Sequence, residues 1–253
     1  MIDTHCHIDF KDFDSDREDV IKRAKDKLDN VIVSGFSNDS NMEVLQLSKD
    51  YEGFIYPTFG FHPVSSQNAT QEEIDIAHEN IKNHLDEILA IGEVGMDYFY
   101  VTDKALRERQ QEIFKGFLEL ANEYKVPIVM HVRDCEKKAV NIIPEYEDIP
   151  YFVFHCYGGS LKTAKKIMNM DNAVMSFSTM LCYSQQHQDL IKKIDLDYVL
   201  TETDSPYLAM TKEERNEPAN VAKAVQKIAE IKGIDVETVD EITTNNARRV
   251  FKI

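Results

Sequence analysis

The segment Ile2-Asp3-Thr4-His5-Cys6-His7 stands at the start of the chain and determines how the rest of the sequence is interpreted. Its composition is typical of a short extended strand. Because strand residues two apart project from the same face, we expect His5 and His7 on one side and Cys6 on the other. Two imidazoles on one face are potential metal ligands, although an isolated His-x-His is about as often an ordinary surface feature. The remaining sequence has to decide between these two interpretations.

Short apolar runs rich in β-branched and aromatic residues recur along the whole chain. Their continuous apolarity is typical of parallel strands that are covered on both faces. The eight candidate strands are residues 2–7, 31–34, 54–60, 88–94, 127–131, 152–155, 173–178 and 198–204.

Amphipathic stretches separate most of these runs. In 103–125 the apolar residues follow helical spacing with one polar interruption, Gln110. Another helix starts at the capping box Thr70-Gln71-Glu72-Glu73, and we expect His78 and His84 at its solvated surface. Further candidate helices are 16–28, 39–51, 134–143, 160–170, 184–193, 218–232 and 236–251.

Strands and helices that alternate in this way predict right-handed crossovers and an α/β fold. The economical closure of eight such units is a (β/α)8 barrel, here a single domain spanning 1–253. An open doubly wound sheet is the alternative. Glycine (9) and proline (7) are sparse and no segment is of low complexity, so nothing marks a linker.

Composition limits the functional classes. The net charge of −16 repels polyanions at long range and argues against a broad duplex-binding surface, although bound metal ions and a few arginines could create a local positive site. No apolar run reaches the ~18 residues of a membrane span, no basic leader is evident, and the four cysteines are far apart. We therefore expect a cytoplasmic protein with reduced thiols, no membrane association and no obligate protein partner.

Residues capable of catalysis or metal binding concentrate where the predicted strands end, which is where barrel enzymes have their active sites. They are His5 and His7 after the first strand, His62 after the third, and Glu93, His131, His155 and Asp204 at the ends of the fourth, fifth, sixth and eighth. Burying so many such groups without partners would be costly, and metal ligation removes that cost. Four imidazoles and two carboxylates exceed the ligands of one catalytic ion, so we expect two divalent ions bridged by Glu93. Zinc, manganese, cobalt or iron suit these ligands, and magnesium would bind more weakly.

The chain resembles the TatD-type metal-dependent hydrolases of the amidohydrolase superfamily over essentially its whole length. The motifs that carry the resemblance are 3–7 (DTHCH), 60–63 (GFHP), 92–98 (GEVGMDY), 127–133 (PIVMHVR), 155–159 (HCYGG), 201–207 (TETDSPY) and 215–220 (RNEPAN).

This resemblance implies a first ion held by His5, His7 and Asp204, a second held by His131 and His155, and Glu93 shared by both. It also implies a nuclease, of the kind that removes nucleotides from a 3′ end. The chain departs from the family pattern at Gly158, where a serine is common, and in the short acidic loop 208–214. These departures bear on substrate identity rather than on metal binding.

The mechanism we expect is hydrolysis by a water molecule activated by two metal ions, on a nucleic acid or another phosphoester. The expected roles are proton acceptance by Asp204, hydrogen-bond donation or leaving-group protonation by His62, phosphate binding by Arg133 and Arg215, and orientation of a ligand by Glu202. Two alternatives remain open: a metal-dependent deacylase or amidohydrolase acting on an ester or amide such as an aminoacyl-tRNA, and a metal-binding protein without catalytic activity.

Overall fold

The computed structural model describes residues 1–211 and 214–253. Eight strands follow one another around a single sheet in the order β1 to β8, and each strand is parallel to the next. The strands are β1 (Ile2–Cys6), β2 (Asn30–Ser34), β3 (Ile55–Phe59), β4 (Ala90–Asp97), β5 (Ile128–Arg133), β6 (Phe152–Phe154), β7 (Ala173–Phe177) and β8 (Val199–Thr201).

Helices connect the strands and cover the outside of the sheet. The α-helices are α1 (Arg17–Lys25), α2 (Asn38–Asp50), α3 (Pro63–Ser66), α4 (Gln71–Asn83), α5 (Lys104–Tyr124), α6 (Glu136–Ile142), α7 (Leu161–Ile167), α8 (Gln185–Ile191), α9 (Val221–Lys232) and α10 (Val236–Phe251). Short 3-10 helices span Lys11–Phe13, Ile143–Glu145, Thr179–Cys182, Leu196–Tyr198 and Pro218–Asn220. Among the described residues, none of these helices is both long and apolar enough to cross a bilayer.

The segment that follows β8 returns to β1 and brings the first and last strands together. The Thr4 hydroxyl donates to the Thr201 carbonyl oxygen at 3.0 Å, and the Asp204 amide donates to the His5 carbonyl oxygen at 2.9 Å. The His7 amide continues this contact by donating to Ser205 O at 2.7 Å. The (β/α)8 barrel prediction is therefore confirmed, and the open doubly wound sheet is excluded.

The predicted strands are all present, and most of their bounds agree with the sequence pattern to within a few residues. Two strands differ most at their C-terminal ends: the fourth was predicted to end at Val94 and continues to Asp97, and the eighth was predicted to end at Asp204 and ends at Thr201. The capping box is also confirmed, because the Thr70 hydroxyl accepts the Glu73 amide at 3.2 Å while the Glu73 carboxylate accepts the Thr70 amide at 2.7 Å. The three-residue extension of β4 matters for the site described below.

The lower interior of the barrel is filled by apolar side chains, one from each of several strands. This layer packs against the end of α10, which closes the bottom of the barrel. Its members are Ile2, Ile32, Ala90, Val129, Val153, Val174 and Leu200 from the strands, with Ala247, Val250 and Phe251 from α10. The barrel axis is thus a packed core at its N-terminal end.

The prediction for the histidines of α4 was wrong. The His78 ring is half-buried and packs edge-on against Phe117 of α5, with ring centroids 4.6 Å apart. Room for it exists because the neighbouring α5 residue is Gly116, where a Cβ would lie only 3.3 Å from the imidazole. The side chain of His84 is 21% exposed and donates from Nδ1 to the Asn80 carbonyl oxygen at 2.7 Å.

Candidate metal centre

Above the apolar layer the barrel interior becomes polar. Strand residues two apart share a face, so the side chains two positions beyond the apolar layer project into the barrel nearer its C-terminal end. These residues are Ser34, His131, His155, Ser176 and Glu202. The barrel interior thus changes from an apolar layer to a polar chamber over two residues along each strand.

Two strands depart from this period. The pairing of β1 with β2 shifts register between Asp3 and Cys6, and the pairing of β4 with β5 shifts between Ile91 and Val94. Such irregularities re-aim side chains. As a result, His5 and Glu93 enter the polar chamber from positions that regular alternation would turn outward.

Gly95 allows β4 and β5 to approach closely at the level of the polar chamber. Gly95 has a φ of +148°, and a Cβ at this position would lie 2.0 Å from the His131 carbonyl oxygen. A side chain could not be accommodated there without moving one of the strands. Gly95 therefore sets the spacing between the strand that carries Glu93 and the strand that carries His131.

The Glu93 carboxylate lies between two pairs of imidazoles. Its Oε2 atom is 3.5 Å from His5 Nε2 and 3.4 Å from His7 Nε2. Its Oε1 atom is 2.7 Å from His131 Nδ1 and 3.0 Å from His155 Nε2. The structure therefore brings together the residues that the sequence singled out, with one carboxylate oxygen facing each pair.

The first pair has spacings that suit a tetrahedral metal ion. The two Nε2 atoms of His5 and His7 are 3.2 Å apart, and they lie 3.8 and 3.6 Å from Asp204 Oδ1. Ligand atoms about 2.0–2.2 Å from a tetrahedral ion are separated by about 3.3–3.6 Å. The atoms of His5, His7, Asp204 and Glu93 could therefore hold one ion without large rearrangement.

Hydrogen bonds at the far side of the rings determine which nitrogens are free to ligate. His7 Nδ1 lies 2.9 Å from the Ser34 carbonyl oxygen, and His131 Nε2 lies 2.9 Å from Asp97 Oδ2. Carbonyl and carboxylate oxygens only accept, so both of these nitrogens carry a proton. The inward nitrogens, His7 Nε2 and His131 Nδ1, are then the ones that can bind a metal, as in most histidine metal sites.

Two buried carboxylates support the centre from behind. Asp97 accepts the His131 ring proton through Oδ2 and the Tyr100 amide through Oδ1 at 2.7 Å, and sequence analysis missed it because the fourth strand was ended too early. Glu202, which was expected to orient a ligand, accepts the Cys156 amide at 2.7 Å and lies 3.7 Å from His155 Nδ1. Both carboxylates add negative charge beneath the imidazoles.

The electrostatic environment favours a cation. Burial acts to raise the pKa of Glu93, but the imidazoles of His155 and His62 outweigh it and hold the pKa well below its usual range. For His7, burial acts to lower the pKa, and the Asp204 and Glu93 carboxylates overcome this and raise it to about 9. Ionised carboxylates this deeply buried need compensating positive charge. The nitrogen and oxygen donor set therefore fits a divalent ion such as zinc or manganese.

His62 differs from the other imidazoles of the centre. Its Nδ1 atom accepts the Val64 amide at 3.2 Å, and its Nε2 atom lies 3.3 Å from His131 Nδ1 and 3.6 Å from Glu93 Oε1. Burial lowers the pKa of His62 to about 3, despite the opposing charge of Glu93. A neutral ring whose Nδ1 accepts must carry its proton on Nε2, so His62 presents a donor to the centre rather than a lone pair.

A cavity of about 890 Å³ opens above these residues. Arg133 lines it, and its guanidinium carbon lies 3.9 Å from the centroid of the Phe99 ring. Tyr100 and Tyr207 also line the cavity and are 65% and 56% exposed. The mouth therefore combines a planar cation with exposed aromatic rings.

The opposite part of the lining is acidic. It comes from the segment after β1 and from the start of α2, and within it Lys11 is the basic residue among those the structure describes. The carboxylates are Asp9, Asp12, Asp39 and Glu43. The cavity thus has walls of unlike charge.

Arg215 is not among the described residues that line the cavity. Its guanidinium forms a two-point ion pair with the Asp16 carboxylate, at 2.8 and 2.6 Å, and lies 4.4 Å above the Phe13 ring. The structure thus pairs Arg215 with Asp16, and no contact among the described residues supports the expectation that Arg215 binds substrate, which stays a prediction. In the loop 208–214, Leu208 lines the cavity, whereas residues 212 and 213 lie outside the described part of the chain.

The chain is similar to known proteins over nearly its whole length. A family model described as TatD related DNase matches residues 2–252. An uncharacterized metal-dependent hydrolase of Methanocaldococcus jannaschii is 42% identical over 99% of this chain and 96% of its own length. The human deoxyribonuclease TATDN3 is 32% identical over 99% of this chain and 94% of its own length. The crystal structure of a TatD homologue from Escherichia coli superposes with a TM-score of 0.92 at 26% identity, covering 100% of this chain and 98% of that one.

Proposed function

Since the chain belongs to the TatD-related DNase family of metal-dependent hydrolases, we propose that it is a phosphodiesterase that removes nucleotides from the 3′ end of single-stranded nucleic acid. The observation that carries this proposal is the position of the Glu93 carboxylate, with one oxygen facing His5 and His7 and the other facing His131 and His155. A carboxylate placed between two sets of donors can be shared by two ions, one at each oxygen, as a two-ion centre would use it.

The residues divide into two ligand sets. His5, His7 and Asp204 would hold one divalent ion, His131 with His155 would hold the other, and Glu93 would be shared by both. Zinc, manganese or magnesium could serve. When bound, such ions polarise a phosphoryl oxygen, lower the pKa of water and stabilise the charge that develops during in-line displacement.

Asp204 is suited to accept the proton of the attacking water. Asp204 is more exposed than Glu93, the other carboxylate at the centre, with 17% of its side chain accessible against 3% for Glu93. Burial acts to raise the pKa of Asp204, but the hydrogen bond with His7 and the nearby imidazoles lower it. The carboxylate is therefore ionised at neutral pH and within reach of solvent in the cavity.

His62 is suited to donate a hydrogen bond to the leaving oxygen or to a phosphoryl oxygen. The acceptor role of its Nδ1 atom fixes the proton on Nε2, on the side of the metal ligands. Because the ring is neutral, it can donate without adding a positive charge that would compete with bound ions. His62 thus complements Asp204, because His62 donates a hydrogen bond while Asp204 accepts a proton.

The mouth of the cavity offers contacts for an unpaired nucleotide. The guanidinium of Arg133 can bind a phosphate in two-point fashion. The exposed rings of Tyr100 and Tyr207 offer faces on which bases can stack, an interaction available to unpaired bases. With few basic residues in the lining, affinity should depend on these local contacts and only weakly on salt.

Digestion of single-stranded oligonucleotides labelled at either end tests the proposal. Protein loaded with manganese should release mononucleotides from the 3′ end, and chelation should stop the reaction. Glu93→Gln should reduce the rate by more than about 100-fold, the upper range for losing an outer partner of a metal ligand. Glu119→Gln, an equivalent change at an exposed position of α5, serves as the control. Undiminished activity of Glu93→Gln in the presence of chelator would refute the proposal.

The acidic wall of the cavity favours a second candidate, a deacylase or amidohydrolase acting on an ester or amide such as an aminoacyl-tRNA. Carboxylates at Asp9, Asp12, Asp39 and Glu43 would repel a phosphate chain on that side and attract an amino group. Turnover of aminoacyl esters that is insensitive to Arg133→Ala, without release of nucleotides, would favour this candidate over the nuclease.

A further inference from the structure

Gln110 is the polar residue that interrupts the apolar stripe of α5. Its side chain is fully buried, and the neighbouring buried positions of the helix include Phe114 and Phe117. A buried amide that found no partner would cost about 1–3 kcal/mol. Its presence in a helix face that otherwise packs on the sheet therefore points to a specific task.

The amide of Gln110 bridges two backbone groups. Its Oε1 atom accepts the Asp97 amide proton at 3.1 Å, and its Nε2 atom donates to the Pro63 carbonyl oxygen at 3.0 Å. The orientation of the side-chain amide is fixed by these partners, because a backbone N–H only donates and a carbonyl oxygen only accepts. Each end of the amide thus meets the one kind of group it can bind.

The bridge fills a gap in the sheet. Strand β3 pairs with β4 through Thr58 with Ala90 and through Phe59 with Ile91, whereas β4 continues to Asp97. Backbone groups in the extension need partners other than β3. Gln110 supplies one of them from the helix.

Each bridged backbone group belongs to a residue that contacts or adjoins a histidine of the candidate metal centre. The Asp97 carboxylate accepts a hydrogen bond from His131 Nε2. Pro63 directly follows His62, whose ring caps the N-terminus of α3. We propose that Gln110 is a positioning residue that holds His131 and His62 at a fixed separation, their facing nitrogens being 3.3 Å apart. The proposal rests on the proposed function in that these two rings serve the second ion and the leaving group.

Glutamine has the chemistry that the position demands. Glutamate would keep an acceptor for the Asp97 amide and, when ionised, would have no donor for Pro63. Methionine has nearly the same length and satisfies neither group, and asparagine is too short by one methylene. Gln110→Glu therefore removes only the hydrogen bond to Pro63, whereas Gln110→Met removes both hydrogen bonds.

Nitrogen-15 NMR of the histidine rings in the metal-free protein tests the proposal without relying on turnover. In Gln110→Met the signals of His62 and His131 should move, while those of His5 and His7 stay in place. In Gln110→Glu the His62 signal should move more than the His131 signal. Gln111→Met, the adjacent position on α5, is the matched control and should move none of them. Equal movement of all four rings in Gln110→Met and Gln110→Glu, or of none, would overturn the proposal.

Titration with manganese gives an independent readout. Gln110→Met should bind the second ion about tenfold more weakly than the wild-type protein and leave the first unchanged, by analogy with other outer partners of metal ligands. Its kcat should fall by a similar factor with KM nearly unchanged, since the cavity lining is intact. If both ions weaken equally, Gln110 only stabilises the fold and the proposal is wrong. If the wild-type protein binds ions but hydrolyses no phosphodiester, the proposed function fails while the ring signals still decide the role of Gln110.

Discussion

Replacement of Asp97 by asparagine separates its two hydrogen bonds. The carboxylate has an acceptor for each of two donors, the Nε2 proton of His131 at 2.9 Å and the amide proton of Tyr100 at 2.7 Å. Asparagine has one acceptor oxygen and one NH2 group, so it can satisfy only one of them. If the amide oxygen turns to Tyr100, the NH2 group faces His131 and favours the ring tautomer whose proton lies on Nδ1, the nitrogen that faces Glu93.

The size of the effect follows from the burial of Asp97, which has no solvent-exposed surface. A buried donor left unsatisfied costs about 1–3 kcal/mol, which corresponds to a factor of about 5 to 150 in an equilibrium constant. Measured losses on removing an outer partner of a metal-bound histidine, 10–100-fold, fall in the same range. We therefore expect Asp97→Asn to weaken binding of one divalent ion by about 10–100-fold.

Calorimetric titration of the metal-free protein with zinc or manganese measures this change. Asp103→Asn is the matched control, because Asp103 caps α5 through the Leu106 amide at 3.0 Å and asparagine caps helices about as well as aspartate. The control should bind both ions with wild-type affinity. Affinities of Asp97→Asn within twofold of wild type for every ion would refute the reasoning that Asp97 sets the tautomer of His131.

Three further predictions follow from the same geometry. Arg133→Ala should raise KM for an oligonucleotide about tenfold with little change in kcat, as expected for the loss of a charged contact to phosphate, in steady-state kinetics. Arg215→Ala should leave kcat/KM unchanged but lower the Tm. The hydrogen bond with Arg215 lowers the pKa of Asp16. The stability that this ion pair contributes is therefore present above the ordinary carboxyl pKa of about 3.9 and is lost as the pH falls through the lowered pKa. The Tm difference between wild type and Arg215→Ala should vanish in that acid range. Gly95→Ala should reduce both thermal stability and metal content, because its Cβ would collide with the His131 carbonyl oxygen.

The barrel could be predicted from the sequence because each strand carries a continuous apolar signal and each connection a helical one. The grouping of His5, Glu93, His131 and Asp204 could be predicted for a related reason. Parallel strands present their C-terminal ends at one rim, so residues at strand ends meet whatever their separation along the chain.

Other features depend on contacts that no local pattern records. Asp97 lies on an extension of β4 that continues past the apolar run, and the two bonds of Gln110 reach backbone groups 13 and 47 residues away. His78 was predicted at the surface because its own helix gives no sign of the space that Gly116 leaves on α5. Arg215 looked available for phosphate because its pairing with Asp16 spans 199 residues. Each of these features is fixed by packing between elements.

Anomalous scattering from crystals grown with manganese or zinc tests the central claim most directly. The account predicts two peaks about 3.5–4 Å apart, one beside each oxygen of the Glu93 carboxylate, the first among His5, His7 and Asp204 and the second against His131 and His155. A single peak, or two peaks of which one does not touch Glu93, would contradict it.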